Sequence, residues 1–581
     1  MRSPGKRRAS TATASNTVIN NHSARIVRLS THAIIHRFRT FVNSYIRTMT
    51  NLRKAWPLIA ILVGAVALKA ALLALDAIPF NSDEAVVALM ARHILQGERP
   101  WFFYGQAYMG SLDAYLVAGA FALLGESVLA VRAAQVFLFV AVLLTGYGAA
   151  RRITGDHRTA RLTMLLLAFP PVLLTLYTTA TLGGYGEALL AGNLLLWWGH
   201  RLGHEDTDYW GLWLAWGLVA GLGFWAFGLT LVYLVPVALW LLWRISRCKF
   251  HASRLLPPAS CLLLGFALGS LPWWLGNLGQ MDAGVAELLG TAVSSTATAA
   301  SFWGNVGLRT FSFFLLGLPA LWGLRFPWSV EGPPLWLAVP ALSLYLGAMA
   351  YGLRRRVKPA IRSGHLLLWA SCGALFLGFI LTPFGGDPSG RYFLPLYLPL
   401  FIFTAETLTM LRERVGRWAW GLLGAVLVFN LAGTAQAALT NLPGITTQFE
   451  AITQVDHHYD AELIDFLQAH NGARGYANYW VTYPIAFLSG EEIILTPRLP
   501  YKADLRYTPR DDRYAPYGES VEQSPTAVYV TTNHPLLDSL LREQLDGLGV
   551  SYAETQIGDY HVFYDLACKV SPGDLGLSIR E

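Results

Sequence analysis

Residues 81–110 read NSDEAVVALMARHILQGERPWFFYGQAYMG, and they are the first place where acidic side chains cluster after a long apolar run. Ser82 stands ahead of Asp83 and Glu84, so the serine is predicted to cap a helix whose first turn carries two carboxylates at its positive end. One interpretation is a simple cap with a dipole-complementing acidic turn. The other is a carboxylate held where a membrane-embedded substrate meets water.

The same stretch is predicted to form a helix at the membrane surface. Arg92 and His93 interrupt an otherwise apolar segment, which indicates a helix partly covered by protein. Gly97 is expected to end this helix, and Pro100 prevents its resumption.

The composition indicates a polytopic membrane protein. The chain has 581 residues, of which 54% are hydrophobic and only 14% charged, whereas charged residues make up about a quarter of a soluble domain. Four cysteines show neither CxxC nor ligand-like spacing, so neither a disulfide framework nor a zinc site is indicated. The net charge of +7 is concentrated in short loops and the N-terminal tail, which is the positive-inside signature rather than a nucleic-acid groove.

Span length and loop charge together predict a topology of about eleven membrane spans in the plasma membrane, with the N-terminus in the cytoplasm and the C-terminus outside. The predicted spans are residues 56–77, 128–150, 162–178, 188–198, 210–227, 229–243, 255–274, 335–353, 366–381, 394–411 and 418–438. Residues 112–124 and 311–323 are also apolar, but a crossing there would place the following basic loops outside. Both segments are therefore predicted to be juxtamembrane or re-entrant.

Three domains are predicted. Residues 1–54 contain eleven basic and no acidic residues and are expected to form a disordered cytoplasmic tail; an organellar transit peptide, or a true start at Met49, remains an alternative. Residues 55–438 form the membrane domain. Residues 439–581 are more polar and alternate helical with strand-like runs, which predicts a small α/β domain on the external side.

The predicted topology brings several carboxylates to one face of the membrane. Besides Asp83 and Glu84, these are Asp113, Glu187 in GGYGE, and Asp387 in GGDPSGRY. Acidic groups at a membrane are costly to desolvate and tend to mark sites or pathways. A helix-capping role remains the alternative for Glu187.

Cationic and aromatic residues lie in the same loops. Arg391, beside Tyr392, is suited to bind a lipid phosphate through two hydrogen bonds, although it could equally be an interfacial anchor. Tyr104, Gln106 and Tyr108 could stack on or hydrogen-bond to a sugar ring, or belong to an aromatic belt. Transfer of a sugar from a phosphate to a hydroxyl needs a carboxylate base and a group that stabilises the departing phosphate. The external loops offer both.

Several motifs together resemble the GT-C superfamily of membrane glycosyltransferases. They are the Asp-Glu pair after the first span, the helix ending at Gly97, the aromatic segment, a second juxtamembrane helix ending in LLGES, and a span that starts near Arg132 and closes on RRITG. The chain is similar to dolichyl-phosphate-mannose-protein mannosyltransferase relatives and to the aminoarabinose transferases of lipid A. The resemblance covers residues 56–200 well, and the GRYFLP loop and the C-terminal domain more loosely.

This resemblance implies an inverting transferase that uses a polyprenyl-phosphate-linked monosaccharide and a hydroxyl acceptor on a protein, lipid or glycan. Asp83 would be the base, while Glu84 and Glu187 would orient the acceptor. If a divalent metal takes part, Asp83 and Glu187 are its candidate ligands. Where the aminoarabinose enzymes have a Lys-Pro pair, this chain has Gly110 and Ser111.

The donor site is therefore expected to take its positive charge from elsewhere in the chain. Arg391, or Arg92 with its neighbour His93, would supply that charge, and Asp113 and Tyr392 would complete the donor site.

Two other classes remain open from the sequence. A transporter or lipid flippase would place acidic residues and broken helices near the bilayer midplane and usually shows a two-fold repeat. A non-catalytic scaffold would use the acidic residues only as helix caps. A cavity at the outer face lined by both Asp83 and Glu187 would argue against both.

Overall fold

The computed structural model describes residues 52–204, 210–247, 252–290, 301–329, 331–354, 359–440 and 443–579. The predicted N-terminal tail lies outside the described residues except for its last three positions. The fold is a polytopic α-helical domain followed by a small α/β domain, as the sequence predicts.

The membrane domain is helical because an apolar segment in lipid must satisfy its own backbone hydrogen bonds. Its helices, in chain order, are α1 (Leu52–Ala74), α2 (Ser82–Gln96), α3 (Leu112–Leu124), α4 (Val128–Thr154), α5 (His157–Ala168), α6 (Val172–Tyr177), α7 (Tyr185–Leu202), α8 (Trp210–Ala226), α9 (Leu231–Arg247), α10 (Ala252–Gly276), α11 (Met281–Leu288), α12 (Phe302–Ser312), α13 (Leu318–Leu321), α14 (Leu335–Arg354), α15 (Pro359–Leu381), α16 (Tyr397–Val415) and α17 (Trp418–Thr440).

Within the described residues, eight helices are long and apolar enough to cross a membrane. They coincide with eight of the eleven predicted spans. The other three predicted spans fall on shorter or broken helices. Residues 162–178 divide into α5 and α6 at Pro170 and Pro171, because proline cannot continue the hydrogen-bond ladder of a helix. The predicted spans 188–198 and 210–227 correspond to α7 and α8.

Two apolar helices, α8 and α10, approach each other through glycines. A Cβ on Gly217 of α8 would lie 2.1 Å from the carbonyl oxygen of Leu262, and one on Gly265 of α10 would lie 2.3 Å from that of Leu214. Small residues at such positions let helix backbones pack directly against each other in lipid. These glycines therefore fix the pairing of α8 with α10.

A short hairpin separates the juxtamembrane helices α2 and α3. Strands β1 (Phe102–Phe103) and β2 (Gln106–Gly110) pair antiparallel with an irregular register. Met109 of β2 also forms a bridge with Phe227, which follows α8. The hairpin is thereby held against the membrane helices.

The C-terminal domain contains a mixed five-stranded sheet of order β4-β3-β6-β8-β7. Strands β3 (Arg474–Ala477), β4 (Ile494–Thr496) and β6 (Val528–Thr532) are parallel, and β7 (Ala553–Ile557) and β8 (Tyr560–Tyr564) add antiparallel to them. A separate pair joins β5 (Arg506–Tyr507) to β9 (Ser578–Ile579). The helices of this domain are α18 (Asp460–Ala469), α19 (Tyr479–Leu488), α20 (Ala515–Gln523) and α21 (Pro535–Gly547).

Helix α19 brings the C-terminal domain onto α2. The hydroxyl of Ser82 donates to the carbonyl oxygen of Tyr479, and Arg92 donates to that of Phe487 at 2.9 Å. The acidic first turn of α2 therefore lies at the boundary between the membrane domain and the C-terminal domain.

Candidate active site

The N-cap of α2 is Asn81, and the prediction that Ser82 caps this helix is wrong. Asn81 has an extended backbone, and its side-chain oxygen accepts from the amides of Asp83 and Glu84 at 3.1 and 3.4 Å. Both Asn and Ser are good caps, so the local sequence does not distinguish them. Asn81 is favoured because the Ser82 hydroxyl is used in the contact with Tyr479.

Both carboxylate oxygens of Asp83 accept hydrogen bonds from the C-terminal domain. The Tyr479 hydroxyl donates to Oδ1 at 2.7 Å, and the Thr447 hydroxyl donates to Oδ2 at 3.0 Å. Asp83 is partly exposed, whereas Thr447 and Tyr479 are buried. The orientation of the predicted base is therefore set by residues more than 360 positions away in the sequence.

Glu84 points away from this setting and is completely buried. Its Oε2 lies 2.5 Å from Nη2 of Arg132 in α4, and its Oε1 accepts from the amide of Thr181 at 3.0 Å. Burial raises the pKa of Glu84 to about 7, with the charge of Arg132 acting in the opposite direction. These contacts hold α2 against α4 and leave Glu84 no exposed oxygen for the predicted role of orienting the acceptor.

Glu187 lies beside Asp113 and not beside Asp83. The carboxyls of Glu187 and Asp113 are both buried and close enough to interact electrostatically. Neither oxygen of Glu187 has a hydrogen-bond partner, and Oδ2 of Asp113 has none. The apolar cavity described below is lined by neither Asp83 nor Glu187, so it is not a cavity shared by the two carboxylates.

Arg391 lies within a group of tyrosines. Its Nη2 is 2.5 Å from Oδ2 of Asp387, and its guanidinium lies 5.1 Å from the ring centre of Tyr392. Arg391 also lies within electrostatic reach of Tyr177 and Tyr185. The Nε of Arg391 and the hydroxyl of Tyr392 are buried without hydrogen-bond partners. Arg391, the residue predicted to bind the phosphate, and its neighbour Tyr392 thus each have one buried polar group without a hydrogen-bond partner.

Tyr108 connects the predicted base with the predicted cation. It lies within electrostatic reach of Asp83, Arg391 and a second arginine, Arg513. With the Gln106 amide oriented to satisfy its neighbours, its oxygen accepts from both terminal nitrogens of Arg513 at 2.6 and 2.7 Å, and its nitrogen donates to the Tyr108 hydroxyl at 3.2 Å. The structure therefore places Gln106 and Tyr108 with Asp83 and Arg391.

Arg92 and His93 belong to a different cluster. Arg92 pairs with Glu126 and, at 3.1 Å, with Glu491, and Nε2 of His93 lies 3.0 Å from Glu491. Tyr104 lies 3.0 Å from Nδ1 of His93. Nine residues of helix separate Arg92 from Asp83, which is about 13 Å along the axis and half a turn around it.

This cluster therefore joins α2 to the C-terminal domain. Arg92 and His93 already have carboxylate partners. These contacts do not favour the predicted role of the two residues in binding the donor phosphate.

An apolar cavity of about 640 Å³ opens beside the polar cluster. Its lining comes mainly from α9, α15 and neighbouring turns, and includes Phe227, Leu231, Leu239, Gly378 and Phe384. Tyr108 and Tyr392 also line it, and both interact with Arg391. An apolar chain in this cavity would place an attached anionic group near the guanidinium.

Among the described residues, no group of three or more His, Cys, Asp or Glu side chains is arranged to hold a metal ion.

The contributions of the C-terminal domain to this site were not predicted from the sequence. Thr447, Tyr479 and Arg513 contact Asp83 or Gln106. The only local sequence feature that points to these residues is DDRY at residues 511–514, where charged residues precede a tyrosine. Tyr177 and Tyr185 were also missed, although Tyr185 is the tyrosine of the GGYGE motif and Tyr177 lies ten residues before Glu187.

Comparison with known proteins agrees with the predicted resemblance. A family model described as dolichyl-phosphate-mannose-protein mannosyltransferase matches residues 111–273. No curated protein matches the sequence.

The fold is similar to several solved structures. Apo ArnT from Cupriavidus metallidurans is 14% identical with a TM-score of 0.54, and the match covers 88% of this chain and 98% of that chain. The same protein bound to undecaprenyl phosphate is 13% identical with a TM-score of 0.53 and the same coverage of 88% and 98%. The apo oligosaccharyltransferase of Archaeoglobus fulgidus is 14% identical with a TM-score of 0.50, covering 84% of this chain and 70% of that chain. These likenesses confirm the predicted GT-C fold of an integral membrane protein.

Proposed function

We propose that this protein is a membrane glycosyltransferase that moves a monosaccharide from a polyprenyl-phosphate donor to a hydroxyl acceptor at the non-cytoplasmic face, with inversion. One observation carries the proposal: Asp83 and Arg391 both lie within electrostatic range of Tyr108, and Tyr108 lines the apolar cavity of about 640 Å³. Tyr108 therefore lies between a carboxylate, a cation and a cavity that could hold a lipid chain.

The cavity supports a polyprenyl donor. Its walls are almost entirely hydrocarbon, and such walls favour an isoprenoid chain through the burial of apolar surface. A phosphate at the end of that chain would meet Arg391, whose planar guanidinium binds phosphate oxygens through two hydrogen bonds. The free Tyr392 hydroxyl is a further donor for the same group. ArnT, which has a similar fold, is known in complex with undecaprenyl phosphate.

The mechanism assigns one task to each group. Asp83 accepts the proton of the acceptor hydroxyl as its oxygen forms a bond to the anomeric carbon of the donor. The bond from that carbon to the phosphate oxygen breaks, and its electron pair leaves with the phosphate. Arg391 stabilises the charge that develops there. Attack from the side opposite the phosphate inverts the anomeric centre.

A transfer assay tests the proposal. The purified full-length protein in lipid nanodiscs is supplied with a panel of undecaprenyl-phosphate monosaccharides and with a membrane extract as the acceptor source. Asp83→Asn should lower turnover by about 100-fold or more, as expected for the loss of a general base, without loss of undecaprenyl phosphate binding. Asp465→Asn, an exposed change in α18, is the matched control. Turnover near the wild-type level in Asp83→Asn would refute the assignment.

A further inference from the structure

The two hydroxyls that bind Asp83 are held very differently. The ring of Tyr479 is buried, with the Arg513 guanidinium 5.3 Å from its centre, Trp480 at 5.0 Å and Tyr483 at 5.5 Å. Arg513 is in turn held by Gln106. Tyr479 is therefore fixed on several sides, and so is the hydrogen bond that it donates to Oδ1 of Asp83.

Thr447 lies outside the helices and strands. It lies in the segment that leads from α17 into the C-terminal domain, and its hydroxyl oxygen accepts from Nδ2 of Asn81 at 2.9 Å while donating to Oδ2 of Asp83. The direction of the Asn81 donor is set because the other end of its amide caps α2.

The environment of the Thr447 hydroxyl is the one that a nucleophilic alcohol requires. A hydroxyl has one proton and two lone pairs. Here the proton is directed at a carboxylate and one lone pair accepts from an amide, so the second lone pair remains for attack. An acceptor hydroxyl in the same position would be activated in the same way.

We propose that Tyr479 is a positioning residue that fixes Oδ1 of Asp83, and that the acceptor alcohol displaces Thr447 and binds between Oδ2 of Asp83 and Nδ2 of Asn81. This inference rests on the proposed function. The acceptor proton moves to Oδ2, the acceptor oxygen bonds to the anomeric carbon, and the phosphate leaves with the electron pair. The C-terminal domain is then a working part of the active site.

Kinetic constants separate the two roles. Tyr479→Phe should lower kcat by about tenfold, since a hydrogen bond to a charged group is lost, with the acceptor KM changed less than about twofold. Thr447→Val should instead lower the acceptor KM several-fold, because the acceptor no longer competes with an internal hydroxyl. Thr447→Ser should restore the wild-type KM. The control is Tyr529→Phe, which removes a buried hydroxyl of the same domain that bonds to the Val570 carbonyl.

A wild-type kcat in Tyr479→Phe, or a raised acceptor KM in Thr447→Val, would overturn the proposal. If the wild-type protein transfers no sugar from the donor panel, the proposed function fails, and a second measurement decides the positioning role. Labelling of Asp83 by a water-soluble carbodiimide with glycine ethyl ester, followed by mass spectrometry, should be faster in Tyr479→Phe than in the wild type. An equal labelling rate would show that Tyr479 does not hold the carboxylate.

Discussion

Oδ2 of Asp387 lies 2.5 Å from Nη2 of Arg391, so the arginine proposed to bind the donor phosphate already has an anionic partner. Asp387→Asn should therefore raise the affinity for undecaprenyl phosphate about fivefold, the effect of the ~1 kcal/mol that one charge exerts near 4 Å in a hydrated site. The loop should keep its shape, because Asn retains the oxygen that accepts from the Ser389 amide at 2.8 Å.

Titration of the protein in nanodiscs with undecaprenyl phosphate, followed by tryptophan fluorescence, measures this change. Arg391→Ala is the reference variant and should lose most of the binding. Weaker binding in Asp387→Asn would mean that Asp387 orients Arg391 rather than competing with the phosphate.

The length of the bound lipid can be tested at Gly378. This glycine lines the apolar cavity, and a Cβ built on it meets no atom within 4 Å. Gly378→Leu should thus fill part of the cavity without strain. Displacing two methylenes of the lipid, at ~0.8 kcal/mol each, should weaken undecaprenyl phosphate binding about tenfold.

Farnesyl phosphate, whose chain is shorter, should be affected less by Gly378→Leu. The control is Gly347→Leu in α14, where a Cβ also meets no atom within 4 Å. An equal loss of affinity for both lipids, or an equal loss in the control variant, would show that this cavity does not bind the donor chain.

The docking of the C-terminal domain should depend on pH through Glu491. Burial opposes its ionisation, but hydrogen bonds from His93, Tyr517 and Arg92 outweigh that effect and lower the pKa of Glu491 to about 2. A lowered pKa gives stability that is present above the unfolded pKa of 4.5 and is lost as pH falls towards the folded value.

Thermal unfolding of wild type and Glu491→Gln should therefore differ most at neutral pH, with the gap in Tm closing between about pH 4.5 and pH 2. Glu492→Gln, a change of the exposed neighbour, should show no such convergence. A gap that stays constant over this range would exclude ionised Glu491 as its source.

The sequence predicted the membrane helices, the juxtamembrane elements and the C-terminal α/β domain because apolar run length, helix stop signals and alternation are local patterns. Asp83 was identifiable for the same reason, since an acidic pair directly after a span is a local feature. Its partners were not. Tyr479 is 396 positions away from Asp83, and no pattern near either residue records the contact.

The role of the glycines near Glu187 was not predictable from local sequence either, because it depends on which backbone packs against them. In the structure a Cβ on Gly184 would lie 2.5 Å from the Ala226 carbonyl oxygen, and one on Gly110 would lie 2.5 Å from that of Trp225. Glycine is therefore needed at both positions, because two loops pack directly on the backbone at the end of α8.

The buried carboxyls of Asp113 and Glu187 should make the stability of the protein depend on pH. Asp113 uses Oδ1 to accept from the Ala114 amide at 2.7 Å, while its Oδ2 and both oxygens of Glu187 have no hydrogen-bond partner. Burial raises the pKa of the Asp113 carboxyl, because the charged form loses its hydration. A raised pKa gives stability that is present below the unfolded value of 3.8 and is lost as pH rises through the folded value.

The wild-type protein should therefore lose Tm as the pH is raised from 5 to about 8, where the like charges of the pair also repel. Asp113→Asn should reduce this loss, because the amide keeps the Oδ1 acceptor, carries no charge and can donate to Glu187. Thermal unfolding in nanodiscs at several pH values measures the difference, with Asp465→Asn as the exposed control. If Asp113→Asn lowered Tm equally at every pH, the pair would be held by packing, and its ionisation would have no part in the stability of the fold.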